Sequence, residues 1–187
     1  GNLNSGTTSS GWELSSNTGK LNGDVDIAAR DKRTVIKGNG KDEVTIMVYM
    51  CGTDLESKAG MGTSDLQEML AADLGENVNL LVYTGGCSKW KNNVVSSSVN
   101  QIYQITDGKM KVLKKDAGKA SMTDPNTLVD FIKYCDTNFP ANRNQLIFWD
   151  HGGGSISGYG YDEKNRVSGS MDLAEINQAL KKAGVTF

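Results

Sequence analysis

Short apolar runs recur along this chain, separated by longer stretches in which apolar side chains fall three or four apart. Val44–Met50 (VTIMVYM) and Val78–Tyr83 (VNLLVY) are rich in β-branched and aliphatic side chains and are bounded by charge or glycine, the pattern of buried strands. Gln145–Trp149 (QLIFW) carries the apolar run Leu146–Trp149 and predicts a strand buried on both faces. After the first strand a polar loop leads to Ser64, read as the N-cap of a helix with Leu66, Met69 and Leu70 on one face. Asn100–Thr106 and Lys109–Lys114 alternate in polarity around Asp107-Gly108, which predicts an antiparallel hairpin at one side of the sheet. Pro125 occupies a first helical position behind Thr123 or Asp124 as cap. That helix runs to about Asn138, with Leu128, Phe131, Ile132 and Cys135 inward, and Pro140 ends it. Asp172 and Glu175 form a capping-box pattern ahead of a helix with Leu173, Ile176, Ala179 and Leu180 inside, closed by Gly184.

Strand, helix, strand at this spacing is a βαβ unit, and it implies parallel strands joined by right-handed crossovers. The expected class is therefore α/β, a mostly parallel sheet with an antiparallel hairpin. Residues 1–40 contrast with this. NLNSGTTSSG has almost no apolar side chain and cannot bury enough surface to order itself, so residues 1–40 read as a flexible arm or tether and residues 41–187 as the domain. Trp12, Leu14, Val25, Ile27, Val35 and Ile36 are the positions through which the arm would dock. At the other end, Val185, Thr186 and Phe187 read as the approach to another strand. The expectation is a fold completed by downstream sequence.

A length of 187 residues suits one domain with a real core. A formal net charge of −2 offers no basic face and argues against nucleic acid as a partner. No apolar run is long enough for a transmembrane segment. The three cysteines, Cys51, Cys87 and Cys135, are odd in number and lack CxxC spacing, which supports neither a disulfide framework nor a zinc site.

The candidate chemistry lies where the Gln145–Trp149 strand stops. Asp150 and His151 follow, then Gly152, Gly153 and Gly154. A strand ending this way delivers an imidazole to the carboxyl edge of a sheet, where ligands bind in open α/β folds. His151 is the chain's one histidine, and imidazole suits proton transfer near neutral pH. Glycine beside it lets a substrate backbone approach and leaves an N–H free to donate. A satisfied loop histidine beside a simple glycine turn fits the same residues. Asp150 reads equally as an orienting group or as a cap on the turn.

Taken in order, TIMVYMCGTDLE, NVNLLVYTGG, the hairpin, DPNTLVDFIKY and QLIFWDHGGG resemble the clostripain family of cysteine peptidases, from about Val44 to the end of the chain. The resemblance implies a caspase-like three-layer α/β sandwich, shared with caspases, legumains and gingipains. It implies that His151 is the catalytic histidine, that the Gly152 N–H serves the oxyanion, and that the nucleophilic cysteine lies beyond Phe187. Family members are cut into a light and a heavy chain that stay together, cleave protein or peptide substrates after Arg or Lys, and often process themselves. This chain is similar to a light chain whose partner is the downstream heavy-chain-like segment carrying the cysteine.

By the same resemblance, Lys164 and Arg166 are candidate processing positions, in a stretch (SISGYGYDEKNRVSGS) that reads as polar and flexible, though ordinary solvated charges would look alike. No metal is required. The resemblance admits calcium, for which Asp54, Glu56 and Asp65 are acidic loop positions without an EF-hand pattern, equally readable as caps and solvated charges. The three cysteines read as core or loop residues, Cys51 being the one at the carboxyl edge. The arm and the resemblance together suggest a bacterial secreted or cell-surface protein, with or without a lipid anchor. Two other classes fit the residues: a non-catalytic α/β binding module, and an inactive surface homologue that kept the scaffold.

Overall fold

The computed structural model describes residues 42–151 and 158–187. The arm assigned to residues 1–40, and Gly152, lie outside the described residues.

Five strands form one sheet in the order β4-β3-β2-β1-β5. They are β1 (Val44–Cys51), β2 (Val78–Gly85), β3 (Gln101–Thr106), β4 (Lys109–Lys114) and β5 (Arg143–Trp149). β1 pairs in parallel with both β2 and β5, whereas β2–β3 and β3–β4 are antiparallel. Parallel and antiparallel pairings are thus equal in number, with the parallel ones clustered around β1. The hairpin turns at Asp107 and Gly108, both at positive φ (50° and 66°), as a two-residue turn matched to strand twist requires.

β1 is the buried centre. From Met47 to Cys51 every residue is fully buried, and alternate side chains enter opposite layers. Met47, Tyr49 and Cys51 pack with Leu128, Phe131, Ile132 and Cys135 of α3 (Pro125–Asn138) and with Ala179 of α4 (Leu173–Ala183). Val48 and Met50 pack on the other face with Leu66 of α2 (Met61–Ala71), Trp90 and Tyr103. The result is helix, sheet, helix. Tyr49 anchors the first layer, with ring centroids 5.4–6.4 Å from Tyr83, Phe131, Phe148 and Tyr159 and its hydroxyl donating to Met122 O at 2.7 Å.

Helix ends follow the chemistry of their first turns, with one exception. Asp124 caps α3 by accepting from Asn126 N at 2.8 Å, with Pro125 at the first turn. Asp172 and Glu175 close a reciprocal capping box on α4, and Gly184 ends it at φ 71°. Leu173, expected inside, is 53% exposed. It stands in the first turn, before the helix reaches the α3 face. Ser64 does not cap α2. That helix begins three residues earlier behind Gly60, whose left-handed conformation (φ 69°) turns the chain, and Ser64 N donates to Gly60 O as an interior residue. The loop expected after β1 contains a further short helix, α1 (Thr53–Ser57).

β5 is an edge strand and not the doubly buried one its composition predicts. Its burial alternates between partial and exposed, and Ile147 is 46% exposed. Its side chains are apolar enough for a central strand, but β1 is its one neighbour among the described residues. Near the start of β5, Asn144 Nδ2 donates to Thr186 O at 3.3 Å.

Truncating the α3 core should cost far more than truncating the exposed hairpin. Phe131→Ala is expected to lower unfolding free energy by about 3–5 kcal/mol. Val112→Ala on β4 should stay within about 0.5 kcal/mol. Urea unfolding followed by circular dichroism measures both.

Candidate active site

β1 and β5 lie side by side, parallel and in register to Met50 opposite Trp149. Whatever follows the two strands must therefore meet at one edge. After β1, Gly52 N and Thr53 N continue donating to Gly85 O and Gly86 O (2.9 and 3.2 Å), and the chain then turns into α1. Only glycine fits at position 52, because a Cβ there would lie 2.7 Å from Cys87 Cβ. Thr53 is buried and sits at φ +54°, a region that β-branched residues rarely adopt. Its Oγ1 accepts from Leu55 N at 3.1 Å. After β5 come Asp150 and His151. The two excursions touch, with His151 Nε2 at 3.1 Å from Asp54 Oδ1. The imidazole is about half exposed (52%), and Asp54 Oδ2 also pairs with Lys58 Nζ at 3.4 Å.

The chain then returns over the same edge. Gly160 N donates to Asp150, so Asp150 fastens the strand end to the returning segment. Tyr159 forms an antiparallel bridge with Met171, and its hydroxyl donates to Tyr49 O at 2.9 Å and lies 3.4 Å from Trp149 O, spanning the ends of β1 and β5. Asp162 is buried and accepts from Met122 N, Lys164 N and Asn165 N at 2.8–3.1 Å. Glu163 accepts from Ser57 Oγ, Ser88 N and Ser88 Oγ at 2.7–2.8 Å. Burial alone would raise the Glu163 carboxyl, but the hydrogen bonds from the Ser88 N–H, Ser57 and Ser88 outweigh it and hold it below the usual glutamate range.

From Gly158 onward, the stretch expected to be flexible is therefore pinned, because its two carboxylates find backbone and hydroxyl donors on three other segments. Lys164 and Arg166 remain exposed within it. Lys164 Nζ donates to Ser97 O, the Arg166 guanidinium lies over the Tyr161 ring (5.9 Å to its centroid), and the short 3₁₀ turn Arg166–Ser168 leaves Val167 fully exposed.

None of the three cysteines is poised as a nucleophile. Cys51 is fully buried, and desolvation with the nearby Asp162 charge pushes its thiol well up. Burial pushes Cys87 up to about 12 and Cys135, on the inner face of α3, well above its ordinary value. The acidic loop positions have individual tasks. Asp54 meets His151, and Asp65 accepts from the Trp149 indole. Glu56 is buried and not solvated, accepting from Thr63 N, Thr63 Oγ1 and Lys91 N at 2.5–2.8 Å. Among the described residues no group of three or more His, Cys, Asp or Glu is disposed to hold a metal ion. A cavity of about 550 Å³ opens at the opposite end of the sheet, lined by Leu74, Val78, Ile105 and their neighbours, and contains none of these side chains.

Residues 48–187 match the model of the clostripain family. The chain belongs to that family. It is 30% identical over 132 residues to clostripain of Hathewaya histolytica, covering 63% of this chain and 25% of that protein. It also shares its fold with a secreted C11 cysteine protease from Bacteroides thetaiotaomicron, solved with an irreversible peptide inhibitor (TM-score 0.55, 20% identity, 75% of this chain and 39% of that one). A second structure from that organism, described as the secreted C11 cysteine protease iotapain, superposes with a TM-score of 0.58 at 15% identity over 78% of this chain and 44% of that one. The caspase-like α/β sandwich is thereby established, and the chain spans a quarter to under half the length of these relatives.

The site residue that sequence reading passed over is Asp54, weighed only as a calcium ligand, cap or solvated charge. The usable signal was its place three residues beyond β1, on the same carboxyl edge as His151. Adjacency of β1 and β5, which primary structure does not print, turns that signal into contact.

Because Glu163 is held below its unfolded value, its contribution to stability is fully present above the ordinary glutamate range of about 4.3 and is lost as pH falls through the lower folded value. Glu163→Gln should therefore be less stable than wild type at pH 7, with the gap closing below about pH 4. Thermal unfolding of both proteins across pH 3–7 measures this.

Proposed function

We propose that this chain is the histidine-bearing part of a cysteine endopeptidase that cleaves after Arg or Lys. The observation that carries the reading is His151 itself, half exposed at the carboxyl edge of the sheet, with Nε2 3.1 Å from Asp54 Oδ1. Family membership supports thiol chemistry, and the buried cysteines argue that the thiol comes from elsewhere. Among the described residues β5 has β1 as its one neighbour, which supports a further strand pairing there and bringing the nucleophile beside the ring. That strand belongs to the downstream heavy-chain-like partner segment. Specificity for Arg or Lys rests on the family resemblance.

In this mechanism the thiolate sulfur bonds to the substrate carbonyl carbon, and the carbonyl π pair moves onto oxygen. The Gly152 N–H donates to that oxyanion, and losing such a donor costs about 3–4 kcal/mol of barrier. The oxyanion collapses, the C–N bond breaks, and the departing amine takes the proton of the His151 imidazolium. The neutral ring then accepts a proton from water as that water attacks the thioester, which releases the acid and regenerates the thiolate. No step calls on a metal.

Self-processing fits the exposure of Lys164 and Arg166. Export to the outside of a bacterial cell follows the description of the B. thetaiotaomicron neighbour as secreted. No helix among the described residues is long and apolar enough to cross a membrane.

In the complete protein, including the downstream segment, His151→Ala should lower cleavage of a fluorogenic peptide with a basic residue before the scissile bond by about 10²–10⁴-fold. Equal rates in both proteins would remove His151 from the mechanism and favour a binding module. Self-cleavage should create a new amino terminus at Asn165 or Val167. Replacing both Lys164 and Arg166 by Ala should leave that segment uncut, as read by intact-mass spectrometry.

A further inference from the structure

We infer that Asp54 is the positioning residue of this site: its carboxylate takes the Nε2 side of His151 and so fixes which ring nitrogen faces the reacting groups. The inference rests on the peptidase reading above. Three observations converge on it. The Nε2–Oδ1 separation is 3.1 Å, an ion-pair distance. Asp54 is supplied by a different strand end from the histidine, and the register of β1 against β5 sets the distance between them. The backbone just before it, at Thr53, holds a left-handed conformation that β-branched residues rarely adopt.

That turn is over-determined by its surroundings. Thr53 N donates to Gly86 O, its hydroxyl accepts from Leu55 N, and its side chain is fully buried. Glu163 also accepts from Ser57 at the far end of α1, tethering the helix that carries Asp54 to the returning segment. The alternative partner for Asp54 is Lys58, at 3.4 Å with its side chain 77% exposed, and such a pair contributes little to stability. Asp150, the other nearby carboxylate, accepts from Gly160 N.

A carboxylate beside Nε2 favours the proton on that nitrogen, so that a neutral ring presents Nδ1 as its lone-pair nitrogen. That is the atom available to accept the proton of a thiol or water. Asp54 touches neither substrate nor nucleophile and acts through His151 alone.

The test uses the complete protein with Asp54→Asn, Asp54→Ala and Asp54→Glu. Ring nitrogen shifts of His151, assigned by their loss in His151→Gln, report by NMR which nitrogen carries the proton. The neutral wild-type ring should carry it on Nε2; that preference should weaken in Asp54→Asn, vanish in Asp54→Ala and recover in part in Asp54→Glu. With active sites counted by an irreversible peptide inhibitor, kcat should drop about 10–100-fold in Asp54→Asn, part of the general acid–base contribution, while KM changes less than about twofold. Thermal unfolding should stay near wild type, which separates positioning from loss of fold. An unchanged tautomer, or an unchanged kcat in an active protein, overturns the inference. A changed tautomer in a protein whose wild type cleaves no peptide leaves the Asp54–His151 pair standing and instead sinks the peptidase reading, and with it the catalytic role.

Discussion

The parallel, in-register pairing of β1 with β5 is the constraint from which the site follows. β1 alone has every side chain from Met47 to Cys51 buried, so its position is fixed by packing on both faces. A strand held that firmly gives its neighbour little freedom to slip, since a one-residue shift would exchange every side chain between layers. The match of Met50 to Trp149 places the two exits side by side. An acid from one exit and an imidazole from the other then come together, although nearly a hundred residues separate them. Tyr159 reinforces the arrangement from a third segment, because one hydroxyl reaches the carbonyls at the ends of both strands.

Around that edge the fold uses carboxylates as ties. Glu56, Asp162 and Glu163 each accept three or more hydrogen bonds, at least one of them from a segment distant in sequence, and much of what they hold is loop. Two of the three are not exposed at all or nearly so, and a buried charge persists only where donors converge on it. Loops ordered by convergent donors keep a defined path without a hydrophobic core of their own. This is how a polar stretch such as Asp162–Gly169 is placed against the sheet.

Much of the architecture could be read from residue pattern. The strands, the Asp107-Gly108 turn, the Asp124 and Asp172 caps and the Gly184 stop all depend on local stereochemistry, which a window of a few residues contains. The place of His151 after β5 was legible because one histidine followed by glycines at a strand end is a local signal too. The failures share a different cause. Ser64 lost to Gly60 because a glycine in the left-handed region can start a helix with no side-chain cap. β5 reads as a central strand because composition registers what a strand can bury, not which neighbours it has. The order in the Gly158–Met171 return, and the value of Asp54, depend on contacts across tens of residues that no periodicity encodes.

The outer side of β5 has a consequence for handling the molecule. Among the described residues no strand pairs there, and a half-exposed Ile147 stands beside that side. A strand side of this kind is a template on which another extended chain, including a copy of the same protein, can dock. Concentration during expression and storage therefore bears on whether the material stays dispersed or grows into oligomers.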